Sequence, residues 1–157
     1  MANNAVQIFD GTASTVITTT GTIADGIFTV ASTNATITQF DNSTDLWPAA
    51  VLGLELPDTF AAAPTVGTTI DVYICRDDIA GGTADETAPT TTLQKGATFI
   101  GSFRMYATDE NQPKEITVSL IGIQKCRFFL QNNSGQTMSF SSGATLKCEG
   151  CTLTPSA

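Results

Sequence analysis

The residues of this chain that can do chemistry are few: fifteen carboxylates, seven lysines and arginines, four cysteines and no histidine. Without histidine, Ser-His-Asp and Cys-His nucleophile arrangements, most zinc hydrolase sites and imidazole acid/base work are excluded together. Paired carboxylates, as in glycoside hydrolysis, are the remaining route to catalysis, with Asp71, Asp77, Asp78, Asp85, Glu86, Asp109 and Glu110 as the available groups. Most of them stand in polar segments with no apolar neighbours to raise a pKa, so they read as solvated rather than catalytic. Asp77, Asp78, Asp85 and Glu86, with Gly81-Gly82 between them, offer oxygen ligands and flexibility for Ca²⁺. Their spacing fits no calcium motif, the twelve-residue EF-hand loop included. No catalytic group, cofactor or metal is therefore expected.

Cys148-Glu149-Gly150-Cys151 has the two-residue spacing shared by zinc knuckles and redox motifs. A second such pair is missing, because Cys75 and Cys126 stand alone, and the motif opens no helix. All four thiols are expected to be reduced and partly buried. Trp47, Tyr73 and Tyr106 could build an aromatic platform for a sugar, but Trp47, in Asp-Leu-Trp-Pro, reads better as a core or interface anchor.

The elements that must position these residues are strands. In Thr69 to Cys75, Ile70, Val72 and Ile74 alternate with Asp71, Tyr73 and Cys75, and in Ala97 to Tyr106 the residues Phe99, Gly101, Phe103 and Met105 share one face. This period of two predicts half-buried antiparallel strands around a long acidic loop, Arg76 to Gly96, and loops of that length tend to carry function. Further strands are predicted at Ala5 to Phe9, Thr15 to Thr19, Gly26 to Val30, Ala35 to Phe40, Val51 to Leu56, Glu115 to Ile121, Cys126 to Gln131, Thr137 to Phe140 and Ala144 to Thr152. Asp-Gly, Asn-Gln-Pro and Asn-Asn-Ser-Gly breaks separate them. Helix is limited to one short turn at most. The expected fold is all-β: an antiparallel sandwich, jelly roll or barrel.

At 157 residues the chain is long enough to bury one core without disulfides or metal. Residues 1–45, rich in Thr, Asn and Ala, read as a β arm or hairpin region that can complete its packing on a neighbouring subunit, and 46–157 as the sandwich itself. A net charge of −8 argues against nucleic acid and anionic membranes as partners. The first residues have no basic n-region and apolar h-region, so synthesis in the cytosol is expected.

The run Gly67-Thr68-Thr69-Ile70-Asp71-Val72-Tyr73-Ile74-Cys75-Arg76-Asp77-Asp78-Ile79, then Gly82 to Pro89 and Gly101-Ser102-Phe103, resembles small virion structural proteins of tailed bacteriophages. Phe129 to Thr137 and Gly143 to Lys147 continue the likeness. The resemblance covers about Val51 to Leu153 and rests on strand and turn patterns. It implies a role without catalysis, as a cement or decoration protein assembled in the host cytoplasm and bound on the capsid, with the major capsid protein and further copies of itself as partners. A tail-tube or tail-tip subunit, or a carbohydrate-binding module of a host-attachment apparatus, are the alternatives. Arg76, Asp77, Asp78, Asp85, Glu86 and Trp47 are the expected partner contacts.

Overall fold

The structure, a computed structural model, describes residues 5–9, 12–56, 64–77, 86–106, 114–139 and 144–155. Twelve strands are present among them: β1 (Ala5–Phe9), β2 (Ser14–Thr19), β3 (Thr22–Ile23), β4 (Ala35–Ile37), β5 (Phe40–Asp41), β6 (Ala49–Glu55), β7 (Thr69–Arg76), β8 (Thr98–Arg104), β9 (Lys114–Ser119), β10 (Lys125–Asn133), β11 (Met138–Ser139) and β12 (Ala144–Pro155). The only helical element described is a 3₁₀ turn at Ala31–Thr33. One sheet runs β4-β2-β12-β6-β9, with β1 added to β12; the second runs β5-β10-β7-β8; β3 and β11 form a small pair. All pairings are antiparallel. The chain is an all-β sandwich.

Alternation along the strands builds the core between the sheets. Leu52 and Leu54 of β6 and Leu146 and Cys148 of β12 face Ile70, Val72 and Ile74 of β7 and Phe128 and Leu130 of β10, all buried in one cluster. Removing apolar surface from water is the main term favouring this arrangement. Strands β2, β4 and β5 belong to the two sheets, and Val16, Ile17, Ile23 and Phe40 enter the same cluster. Residues 14–41 are thus woven into the sandwich.

Three expectations are corrected. Strand β7 is buried on both faces, not one: Tyr73 and Cys75 pack with Phe28, Ala97 and Phe129 in a second cluster. The expected strand Gly26 to Val30 contributes to this cover, making only a one-residue bridge from Phe28 to Gln131. Phe99 does not share a face with Phe103, because the β7–β8 register shifts between Val72 and Tyr73. A bulge inserts one residue and inverts the alternation beyond it. Phe103 and Met105 are buried while Phe99 is 51% exposed, its ring edge-on to Tyr73 at 5.7 Å.

Candidate interaction site

Cys148 to Cys151 lies within β12 and pairs in continuous register with Leu52 to Ala49, so the motif is strand throughout. Residues three apart on a strand point to opposite faces, which prevents the two thiols from closing on one ion. Both are buried, neither is joined in a disulfide, and among the described residues no group of three metal-ligating side chains occurs. Burial pushes the Cys75 thiol up to about 11, and it moves the Cys148 thiol upward too, helped by Cys126 and Cys151. Protonated thiols are poor nucleophiles and poor metal ligands. Gly150 has a packing reason: a Cβ there would come within 1.9 Å of the Trp47 ring. The glycine is the floor on which the indole rests.

Trp47 also stacks on Phe40, with centroids 6.1 Å apart, and packs against the main core. It therefore anchors the segment 42–48 to the rim of the sandwich. Asn42, 1% exposed, organises that segment. Its side-chain amide donates to the carbonyls of Trp47 (3.0 Å) and Ile123 (3.1 Å), and its Oδ1 accepts from the Trp47 amide (2.8 Å). One buried side chain thus ties two loops together, 42–48 and 120–124. Beside it, Ser43 donates its amide and hydroxyl to Asp41, which holds the Asp41 carboxyl below its usual range.

The second loop is a β-turn closed by the Ile123 amide on the Leu120 carbonyl (2.9 Å). Gly122, φ +74°, occupies the position that needs a left-handed backbone in a type II turn. This leaves Ile121 at the apex, 78% exposed. Across from it Leu46 is 60% exposed and itself left-handed, φ +53°. That conformation costs an L-residue about 1–2 kcal/mol. Between the loops lies a cleft of about 390 Å³ lined by Asn42, Leu46, Trp47, Arg76, Ile121 and Gln124, among others. Arg76 donates Nη2 to the Gly122 carbonyl at 2.7 Å, bracing the turn.

Of the expected contact residues, the fold brings Trp47 and Arg76 to this cleft. Glu86 sits at the base of the acidic loop, where its Oε2 accepts the Arg76 amide at 2.7 Å. Asp77 turns inward instead: its side chain is fully covered and forms a two-pronged pair with Arg127, Oδ2 to Nε at 2.8 Å and Oδ1 to Nη2 at 2.9 Å. Gln39 donates to the same carboxylate (3.1 Å), and Asp77 keeps the Arg127 guanidinium even more firmly protonated than usual. Asp78 and Asp85 fall outside the described residues. Asn42, Leu46 and Ile121 were missed by sequence reasoning. The Asn, Gly122 and the isolated apolar residues are each common in loops, and only their juxtaposition marks them.

Trp47, Tyr73 and Tyr106 do not form one platform. Tyr73 is buried with Phe28, and Tyr106 stands between Arg104 and Lys114, 5.8 and 5.2 Å from its ring. Comparison of the sequence with models of known protein families and with curated proteins finds no match.

Proposed function

We propose that the protein is a non-enzymatic structural protein of a tailed-bacteriophage virion, of the cement or decoration type, that docks on the capsid lattice through the Leu46–Ile121 rim. The observation that carries the adhesive part of this reading is Leu46. A large apolar side chain, 60% exposed, stands on a left-handed backbone that glycine adopts without strain, so burial on folding gives little reason for a leucine here. Strain of this kind persists where the surroundings over-determine it, and it clusters at functional positions. Here the surroundings are Asn42 and the stacked Trp47, so the strained turn is rigidly presented. Ile121 adds a second exposed apolar side chain, and Arg76 lines the same cleft.

The virion setting is supported by the resemblance of Gly67 to Ile79 and the later strand pieces to phage structural proteins. A bound protein must be released before a shell subunit can leave its lattice, so binding to the assembled state stabilises that state by linkage. Attachment at several equivalent lattice points makes a modest single interface sufficient.

The test is co-sedimentation of the full chain with capsids assembled without it, comparing the native sequence with the double variant Leu46→Asp, Ile121→Asp. Binding by the native chain and its loss in the variant are expected. Equal binding by both would overturn the assignment of the rim. Absence of the protein from virions in immunoelectron microscopy would overturn the cement role, and spontaneous stacking into rings would favour a tail-tube subunit.

A further inference from the structure

Strand β12 is twice as long as most of its neighbours, and its two halves live in different surroundings. Through Thr145 to Cys151 it is flanked on one side by β6, and through Ala144 to Cys148 on the other by β2. Beyond Cys151 the β6 pairing stops, and among the described residues Thr152 to Pro155 pair with β1 alone. The end of the sheet is thus a two-stranded ribbon of Ala5–Phe9 and Cys151–Pro155. Among the described residues, no strand pairs with the outer edge of β1. Two-stranded ribbons are at best marginal in water, and a third strand is what makes them independently stable.

The two edges of this ribbon are not equivalent. Natural sheets blunt exposed edges with charge, proline or bulges. The β12 edge ends in Pro155, which lacks an amide donor. Ala5-Val6-Gln7-Ile8-Phe9 has no proline, no glycine and no charge, and its register with β12 is unbroken. Charge points to the occupant. The chain carries a net −8, so two copies repel over most of their surface, yet residues 1–9 and 150–157 contain no Asp, Glu, Lys or Arg. At the ribbon a second copy meets no charged side chain of either strand, so this edge can be approached without like-charge repulsion from the strands themselves.

We propose that β1 is a dimerisation edge: the β1 strands of two copies pair antiparallel about a two-fold axis, joining two ribbons into a four-stranded sheet. An isologous pair closes on itself, so it yields a dimer rather than a fibre. Main-chain hydrogen bonds supply the attraction, as in other strand-addition contacts. This gives the self-association that the resemblance to phage structural proteins implies a surface. It rests on the edge and on charge alone, so it can fail while capsid binding stands, and the reverse.

Sedimentation equilibrium of the full chain across a range of concentrations is the test. The native protein should show a monomer–dimer equilibrium, and Gln7→Lys, which sets like charges near each other across the two-fold, should shift it to monomer. Thr117→Lys, an exposed position on β9 away from the ribbon, should leave it unchanged. As a second readout, single cysteines at Val6, Gln7 and Ile8 are oxidised separately. At least one should give a covalent dimer on a non-reducing gel. A native protein that stays monomeric, a dimer indifferent to Gln7→Lys, or open polymers instead of dimers would each overturn the proposal.

Discussion

Replacing Asn42 with alanine removes three hydrogen bonds at once and leaves the Trp47 carbonyl, the Ile123 carbonyl and the Trp47 amide without their partner. Each such bond contributes about 1 kcal/mol net, and a group left buried and unpaired costs about 1–3 kcal/mol. The cleft beside Asn42 is open enough for water to replace part of what is lost, which places the sum near the lower bound, about 3 kcal/mol. With a urea m-value of about 2 kcal/mol/M, the midpoint of unfolding should fall by about 1.5 M. Trp47 is the only tryptophan, so its fluorescence reports the same site, and the folded baseline of the variant should shift to the red as the 42–48 loop loosens. Asn42→Asp separates the donor from the acceptor role. It keeps an oxygen for the Trp47 amide but sets a carboxylate against two carbonyls, which raises that carboxyl's folded pKa. The resulting destabilisation is present above the folded pKa and is relieved as pH falls through it. The argument would be refuted by an Asn42→Ala variant within about 1 kcal/mol of the native protein, less than the net worth of the three bonds, with unchanged fluorescence.

Leu46→Gly should be neutral or stabilising by up to about 1 kcal/mol in urea unfolding, because it relieves the left-handed strain, while weakening particle binding; clear destabilisation would show that the leucine serves the fold. Asp77→Ala should cost about 2–4 kcal/mol in the same assay, since it takes the carboxylate from Gln39 and from the Arg127 guanidinium, which keeps only the Glu86 carbonyl at 3.3 Å. Arg127, about one-fifth exposed, recovers some hydration, so the loss belongs at the lower end. Alkaline pH should also destabilise the protein. The unfolded Cys75 thiol releases its proton near 9.0 and the folded one near 11, so the stability present below pH 9 falls by about 2 kcal/mol on reaching pH 11. Cys148 acts in the same direction. In urea titrations from pH 8 to 11, Cys75→Ala should flatten this decline, and an identical slope in both proteins would contradict the burial of the thiol as its cause.

The class of the fold was legible in the chain because strand alternation and turn residues are local properties. Ala5 to Phe9 and the inward row Ile70, Val72 and Ile74 emerge as the pattern predicts. Where the sequence misled, the deciding contact was distant in the chain. A bulge against β7 turned Phe99 outward, segments around Phe28 and Ala97 covered the supposedly exposed face of β7, and Arg127, fifty residues away, drew Asp77 inside. The rim site has the same origin. Its parts lie on two loops some eighty residues apart, and a single buried amide, Asn42, joins them. By itself the sequence determined an acidic, histidine-free all-β chain with its thiols at strand positions. Only the tertiary structure decided which side chains water can reach, because burial and hydrogen-bond partnership depend on what the rest of the chain brings alongside.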